Sequence, residues 1–180
     1  LITAVIGRVA VPNDQNIHRM ANLNLVLAFA VGYSNGAGFC HKIATDTNTF
    51  RGIASMASVL LESGLENGAW PVQTQPLAVL QIHGTADNSC PYEGGNGVAG
   101  HVFVSVEESA ALWASVNGCQ EIPDEETTPE GNIKLSYTNC IGFDVVSYGI
   151  VDAGHGIPPF TEGGLTPLIW NFFKSTFGDE

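Results

Sequence analysis

Residues 23–36 read L-N-L-V-L-A-F-A-V-G-Y-S-N-G. An apolar run of this length without alternation is what a strand buried on both faces of a sheet requires. It ends in G-x-S-x-G, with Ser34 between Gly32 and Gly36. A strand that turns sharply into a helix needs small residues on either side of the turn, and the serine is left projecting above the sheet. The following G-A-G-F-C-H-K-I-A-T, residues 36–45, contains no proline and ends in polar residues, as a helix packed on a sheet would. The stretch therefore predicts strand, sharp turn and helix, with Ser34 as a candidate nucleophile and the main-chain N–H of Asn35 as a candidate oxyanion donor at the positive end of the helix.

The rest of the chain continues the alternation. Ile53–Leu60 and Leu77–Ile82 are strand candidates. Ser105 with Glu108 forms an S-x-x-E box ahead of V-E-E-S-A-A-L-W-A-S-V, and Asn117-Gly118 supplies the stop, which predicts a helix between them. Ile133–Thr138 and Asp144–Val151 read as a strand pair, and Thr166-Pro167 opens a last helix ended by Gly178. Strands alternating with helices predict an α/β fold with a mostly parallel sheet, whose sites gather at the carboxyl ends of the strands. The leading L-I-T-A-V-I-G-R-V looks like the end of a helix whose beginning is absent. The chain is accordingly expected to be a single catalytic domain over residues 1–180, shortened at its amino end, with the first strands of the sheet missing.

Composition narrows the function classes. The 180 residues are 44% hydrophobic, enough for one globular core. Six Lys and Arg against eighteen Asp and Glu give a formal charge of −12, which would repel phosphate backbones, so no nucleic-acid partner is expected. No apolar run reaches the roughly 18 to 20 residues that span a bilayer, so no membrane partner is expected. The acidic stretch E-I-P-D-E-E-T-T-P-E, residues 121–130, reads as a solvated loop.

A serine hydroxyl needs a base within hydrogen-bond reach and a carboxylate that orients the base. After a G-x-S-x-G turn the chain order should be serine, acid, histidine. His18 and His41 come too early in the chain, His101 lies in a glycine-rich loop, and His83 ends its strand in H-G-T-A-D, where fixing that loop is its expected task. His155, in D-A-G-H-G beyond the strand Asp144–Val151, is the candidate base. Asp87 is the candidate acid, with Asp152 as its rival three residues before the histidine.

Taken together, G-Y-S-N-G-A-G, H-G-T-A-D with P-Y-E-G-G, W-A-S-V-N-G-C, the strand ending in G-H and the terminal I-W-N-F-F-K resemble the secreted esterases related to polyhydroxybutyrate depolymerase and to feruloyl or acetylxylan esterase, within the α/β-hydrolase superfamily. The resemblance covers most of the chain. It implies an α/β-hydrolase fold and a triad of Ser34, Asp87 and His155 that needs no cofactor. The implied substrates are esters of hydroxyacid polymers or of plant cell-wall polysaccharides, met outside the cell. Two departures stand out. G-I-P-P-F follows the histidine where the family has Trp-Pro, and residues 1–33 contain no His-Gly loop of the kind that gives the family its second oxyanion donor. A serine peptidase of the same superfamily and a noncatalytic polymer- or glycan-binding homologue are the alternatives.

Four cysteines, Cys40, Cys90, Cys119 and Cys140, allow three full pairings, and no C-x-x-C spacing points to a metal. The resemblance implies a Cys119–Cys140 bridge. Trp113, Trp170, Phe172 and Phe173 lie on predicted helices at helical spacing and are expected in the core. Tyr33 beside the serine, and Trp70 and Tyr92 in loops at strand ends, are the candidates for lining a substrate pocket.

Overall fold

The computed structural model describes residues 2–8, 26–66 and 75–177, with side chains for 28–66 and 75–177. The expectations that fall on residues 9–25, on Trp70 and on Gly178 lie outside the described residues.

A seven-stranded sheet runs in the order β1 (Ile2–Arg8), β2 (Val26–Tyr33), β3 (Gly52–Met56), β4 (Ala78–Gly84), β9 (Val145–Ile150), β8 (Ile133–Tyr137) and β7 (Asp124–Thr127). The pairs β2–β3, β3–β4 and β4–β9 are parallel, and the pairs β1–β2, β8–β9 and β7–β8 are antiparallel. Helices α1 (Asn35–Asp46), α2 (Glu62–Glu66), α3 (Val106–Asn117) and α4 (Leu165–Phe177) and a small hairpin, β5 (Gly95–Asn96) with β6 (Val102–Phe103), complete the described architecture. The architecture is α/β with a mostly parallel centre, as the alternation of elements implied.

Neighbouring residues on the central strands go to opposite faces, because a strand's side chains alternate. Ala30, Ile53, Val79 and Val145 join one apolar layer with Cys40 and Ala44 of α1 and Trp113 of α3. Phe29, Ala54 and Leu80 point the other way, into a layer with Tyr148 and Phe173 of α4. All seven residues of β4 are buried, so its sequence shows no alternation of apolar with solvent-facing polar residues, and its two polar side chains are bonded inside: Gln81 to the Val106 carbonyl and the Ser109 hydroxyl, His83 to the Cys90 carbonyl. Phe29 stacks on Phe173 with ring centroids 4.2 Å apart, tying β2 to the last helix.

Helix α3 starts as its sequence requires, with the Ser105 hydroxyl accepting from the Glu108 N–H at 3.0 Å. It ends at Gly118 in the left-handed conformation, φ 64°.

Three expectations are corrected. The leading residues are not the end of a helix: Ile2–Arg8 pairs antiparallel with β2, because the exposed edge of β2 offers hydrogen bonds that a short helix would not gain. The acidic stretch is not all loop, since Asp124–Thr127 forms the edge strand β7, exposed along its length. Its carboxylates are suited to keep another chain from pairing there, and Glu126 bonds Lys134 of β8 at 2.6 Å. Trp170 is not core; it is 46% exposed, whereas Trp113 and Phe173 are buried as expected.

Candidate active site

Ser34 stands between β2 and α1 with φ 54° and ψ −122°, a conformation that a non-glycine residue adopts only when its surroundings enforce it. They do so here through three main-chain bonds. The Ser34 N–H donates to the Met56 carbonyl at 2.7 Å, and the Ser34 carbonyl accepts from Ala37 and Gly38 at 2.9 and 3.1 Å. Gly32 is required by close approach: a Cβ there would lie 2.2 Å from the Gly36 carbonyl oxygen. Asn35 opens α1, so its N–H is one of the helix's first four, which have no carbonyl a turn earlier to bond.

Asp87 follows β4 and His155 follows β9, both at the carboxyl ends of parallel strands. The structure brings these two residues and Ser34 together. Ser34 Oγ lies 2.7 Å from His155 Nε2, and His155 Nδ1 lies 2.8 Å from Asp87 Oδ2. A carboxylate only accepts, so Nδ1 carries the ring proton of a neutral His155. Nε2 is then free to accept from the serine hydroxyl. Asp87 Oδ1 takes the N–H groups of Ser89 and Cys90 at 2.7 and 3.0 Å. Asp87 is 3% exposed, so these bonds stand in for the water it has lost.

The two loops that carry acid and base lie against each other. Thr85 N–H donates to the Ile150 carbonyl and Ala86 N–H to the Ala153 carbonyl, each at 2.9 Å. A Cβ at Gly84 would sit 2.2 Å from the Ala153 oxygen, so only glycine permits the contact. Asp152, the rival acid, is exposed and occupies the left-handed position of the turn, φ 60°. Its N–H is held by the Thr85 hydroxyl at 3.0 Å. The hairpin of β7 and β8 reaches the same region: Asn132 Oδ1 accepts from Val151 N–H, and the Glu130 carboxylate accepts from the N–H groups of Glu162 and Gly163.

The pocket candidates divide. The Tyr33 hydroxyl donates to the His155 carbonyl, so that group serves the histidine loop, while the Tyr33 ring lines an apolar cleft of about 640 Å³. Val31, Met56, Ile157, Ile169 and Trp170 line it too. Tyr92 does not line the cleft. It is 6% exposed in the core, with its hydroxyl against Gly149, and burial, then the charges of Glu107, Glu93 and Glu125, pushes that hydroxyl up to about 12. Sequence reasoning missed Met56, Ile157 and the outward face of α4. The available signal was that apolar residues of α4 occupy more than one face.

Cys119 and Cys140 are bridged, and Cys40 and Cys90 are buried thiols. Burial raises Cys40 to about 11, and burial followed by the Asp87 charge raises Cys90, so neither is a ready thiolate. Among the described residues no group of three or more His, Cys, Asp or Glu could hold a metal, and no helix is long and apolar enough to cross a membrane.

No family model matches the chain. The chain is similar to feruloyl esterases. It is 31% identical over 152 residues to feruloyl esterase C of Emericella nidulans, covering 82% of this chain and 49% of that protein. A probable feruloyl esterase C of Aspergillus niger is 29% identical over the same shares. Feruloyl esterase B of Piromyces equi is 27% identical over 150 residues, 81% of this chain and 27% of that protein. The chain spans about half the length of the feruloyl esterases C it matches.

Proposed function

We propose that this chain carries the nucleophile, base and acid of a secreted serine carboxylic ester hydrolase of the α/β-hydrolase fold, acting on feruloyl-type esters of polysaccharides. The observation that carries the reading is the continuous relay from Ser34 Oγ through His155 to Asp87, at 2.7 and 2.8 Å. The similarity to feruloyl esterases supports the substrate class. The Cys119–Cys140 bridge fits an oxidising compartment.

Ser34 Oγ attacks the ester carbonyl carbon as His155 Nε2 takes the hydroxyl proton. Asp87 keeps the other ring proton on Nδ1 and stabilises the imidazolium that forms. The carbonyl oxygen becomes an oxyanion, to which the Asn35 N–H donates at the positive end of α1. The tetrahedral species collapses, the ester C–O bond breaks, and the alcohol leaves with the proton from His155. Water then attacks the acyl-serine with His155 again as base, releasing the acid and restoring the hydroxyl. The cleft beside Tyr33 and Ile157 has the volume and apolar lining expected for an aromatic acyl group.

The test is a comparison of the protein with its Ser34→Ala variant on an alkyl hydroxycinnamate, an acetylated sugar, a hydroxybutyrate oligomer and a peptide amide. A fluorophosphonate should label Ser34, the hydroxycinnamate should be turned over fastest, and the variant should lose about 10,000-fold or more. An unlabelled Ser34, or a folded variant within about tenfold of the parent, would remove the serine from the mechanism. Faster turnover of the oligomer or the amide would replace the substrate.

A further inference from the structure

His83 is the residue whose placement the relay leaves unexplained. It ends β4, is 1% exposed, and aims its Nε2 at two acceptors, the Cys90 carbonyl at 2.7 Å and Asp87 Oδ2 at 3.2 Å. A carbonyl only accepts, so Nε2 must carry a proton and His83 is a donor at this corner. Asp87 Oδ1 accepts from Ser89 and Cys90 and Oδ2 accepts from His155, while the His83 Nε2–H, bonded to the Cys90 carbonyl, lies 3.2 Å from that same Oδ2.

We infer that His83 is a positioning residue of the relay: its shared Nε2–H fixes the Asp87 carboxylate and limits the negative charge that Oδ2 presents to His155. The inference rests on the proposed catalytic role of the relay. A second donor on Oδ2 disperses the carboxylate charge, so losing it leaves a stronger anion beside Nδ1, one that favours protonated His155. Burial lowers the His83 pKa, which keeps the ring a neutral donor. The other titratable groups around it bring no competing charge near neutral pH. His41 is buried and lowered to about 3, the Cys90 thiol is raised, and the Tyr92 ring, 6.1 Å from the His83 ring, belongs to a hydroxyl raised to about 12. On the far side of His155, the Tyr33 hydroxyl donates to the His155 carbonyl.

Three variants separate positioning from bulk. His83→Leu keeps an apolar volume without a donor, His83→Gln puts an amide N–H near the place of Nε2, and His83→Asn is too short to reach. On the hydroxycinnamate ester, His83→Leu should lower kcat about ten- to a hundredfold with KM within about threefold, because the 3.2 Å contact of an N–H with the carboxylate is lost while substrate contacts remain. The acidic limb of its kcat/KM profile should move to higher pH, and His83→Gln should keep the parental limb. A folded His83→Leu with unchanged kcat and limb, or a His83→Gln as impaired as the leucine, overturns the inference. Should the leucine variant not fold, the glutamine and asparagine variants carry the same comparison. A readout independent of turnover is the low-field proton resonance of the His155 Nδ1–H. It should shift in His83→Leu and stay in place in His83→Gln; no shift in the leucine variant overturns the inference. If the parent neither hydrolyses esters nor reacts with fluorophosphonate, the functional reading fails, and this resonance still decides the role of His83.

Discussion

Ser34 Oγ and His155 Nε2 meet at 2.7 Å although β2 and β9, the strands that deliver them, are not neighbours in the sheet. Three strand spacings separate the two strands, about 14 Å at the usual spacing. The loop after β9 must therefore lean back over the end of β4. It does so on the Ala86–Ala153 and Thr85–Ile150 main-chain bonds, which the missing side chain of Gly84 makes room for. The same lean carries His155 past Asp87, so one loop path sets both contacts of the imidazole.

The placement of the two aspartates gives the first expectation. Replacing an orienting carboxylate by its amide can cost about 10,000-fold in turnover by favouring the wrong histidine tautomer. Asp87→Asn should lose at least about a thousandfold in kcat and remain folded by circular dichroism. Asp152→Asn should lose less than about tenfold, since its side chain is exposed in a turn whose main chain, held by Thr85, makes the contact. A folded Asp152→Asn that is the more damaged of the two would show the acid to be misassigned.

The bridge gives a second. Cys119 follows α3 and Cys140 follows β8, near the end of the sheet where β4 begins, opposite the Ser34 end; there Asn117 bonds both main-chain groups of Leu77. Closing a loop of 21 residues is worth about 3 kcal/mol through the unfolded chain. The double Cys→Ser variant should lose about that much in urea unfolding, and kcat should stay within about twofold in the absence of denaturant. An inactive but folded variant would mean that strain passes from the bridge to the triad.

What could be read from the sequence follows from what buries. β4 and the central part of β2 were legible because strands covered on both faces lack the alternation of a half-exposed strand, and the meeting of Ser34, Asp87 and His155 because loops at the ends of such strands converge. Strand β7 was not legible, since an edge strand exposed along its length has no apolar alternation to show. Nor was β1, whose state depends on a partner edge that the local pattern does not contain. Tyr92 and Trp170 were misplaced for a common reason: an aromatic residue in a loop or on a helix has the same spacing whether it faces core or solvent. Only the tertiary neighbours, Gly149 for Tyr92 and the open cleft for Trp170, decide between them.

The last expectation concerns pH and a histidine away from the relay. His41 on α1 is 1% exposed, and its Nδ1 accepts from the Trp113 indole N–H at 3.0 Å. Burial lowers its pKa from 6.5 to about 3, with the Ser58 main chain opposing and His83 adding to the fall. The unfolded chain therefore takes up a proton below about pH 6.5 that the folded chain refuses until about pH 3. Stability from this group is fully present above that window and is lost as pH falls through it, at up to about 1.4 kcal/mol per pH unit. His41→Asn puts an amide oxygen near the place of Nδ1, which keeps an acceptor for Trp113, and removes the titration. Urea midpoints measured at a series of pH values should fall less steeply for the variant than for the parent between about pH 6 and 4, by one proton's slope. Burial lowers His83 as well, so the variant should keep part of the acid sensitivity. Equal slopes would mean that His41 is protonated inside the folded protein and that the contact with Trp113 opens in acid.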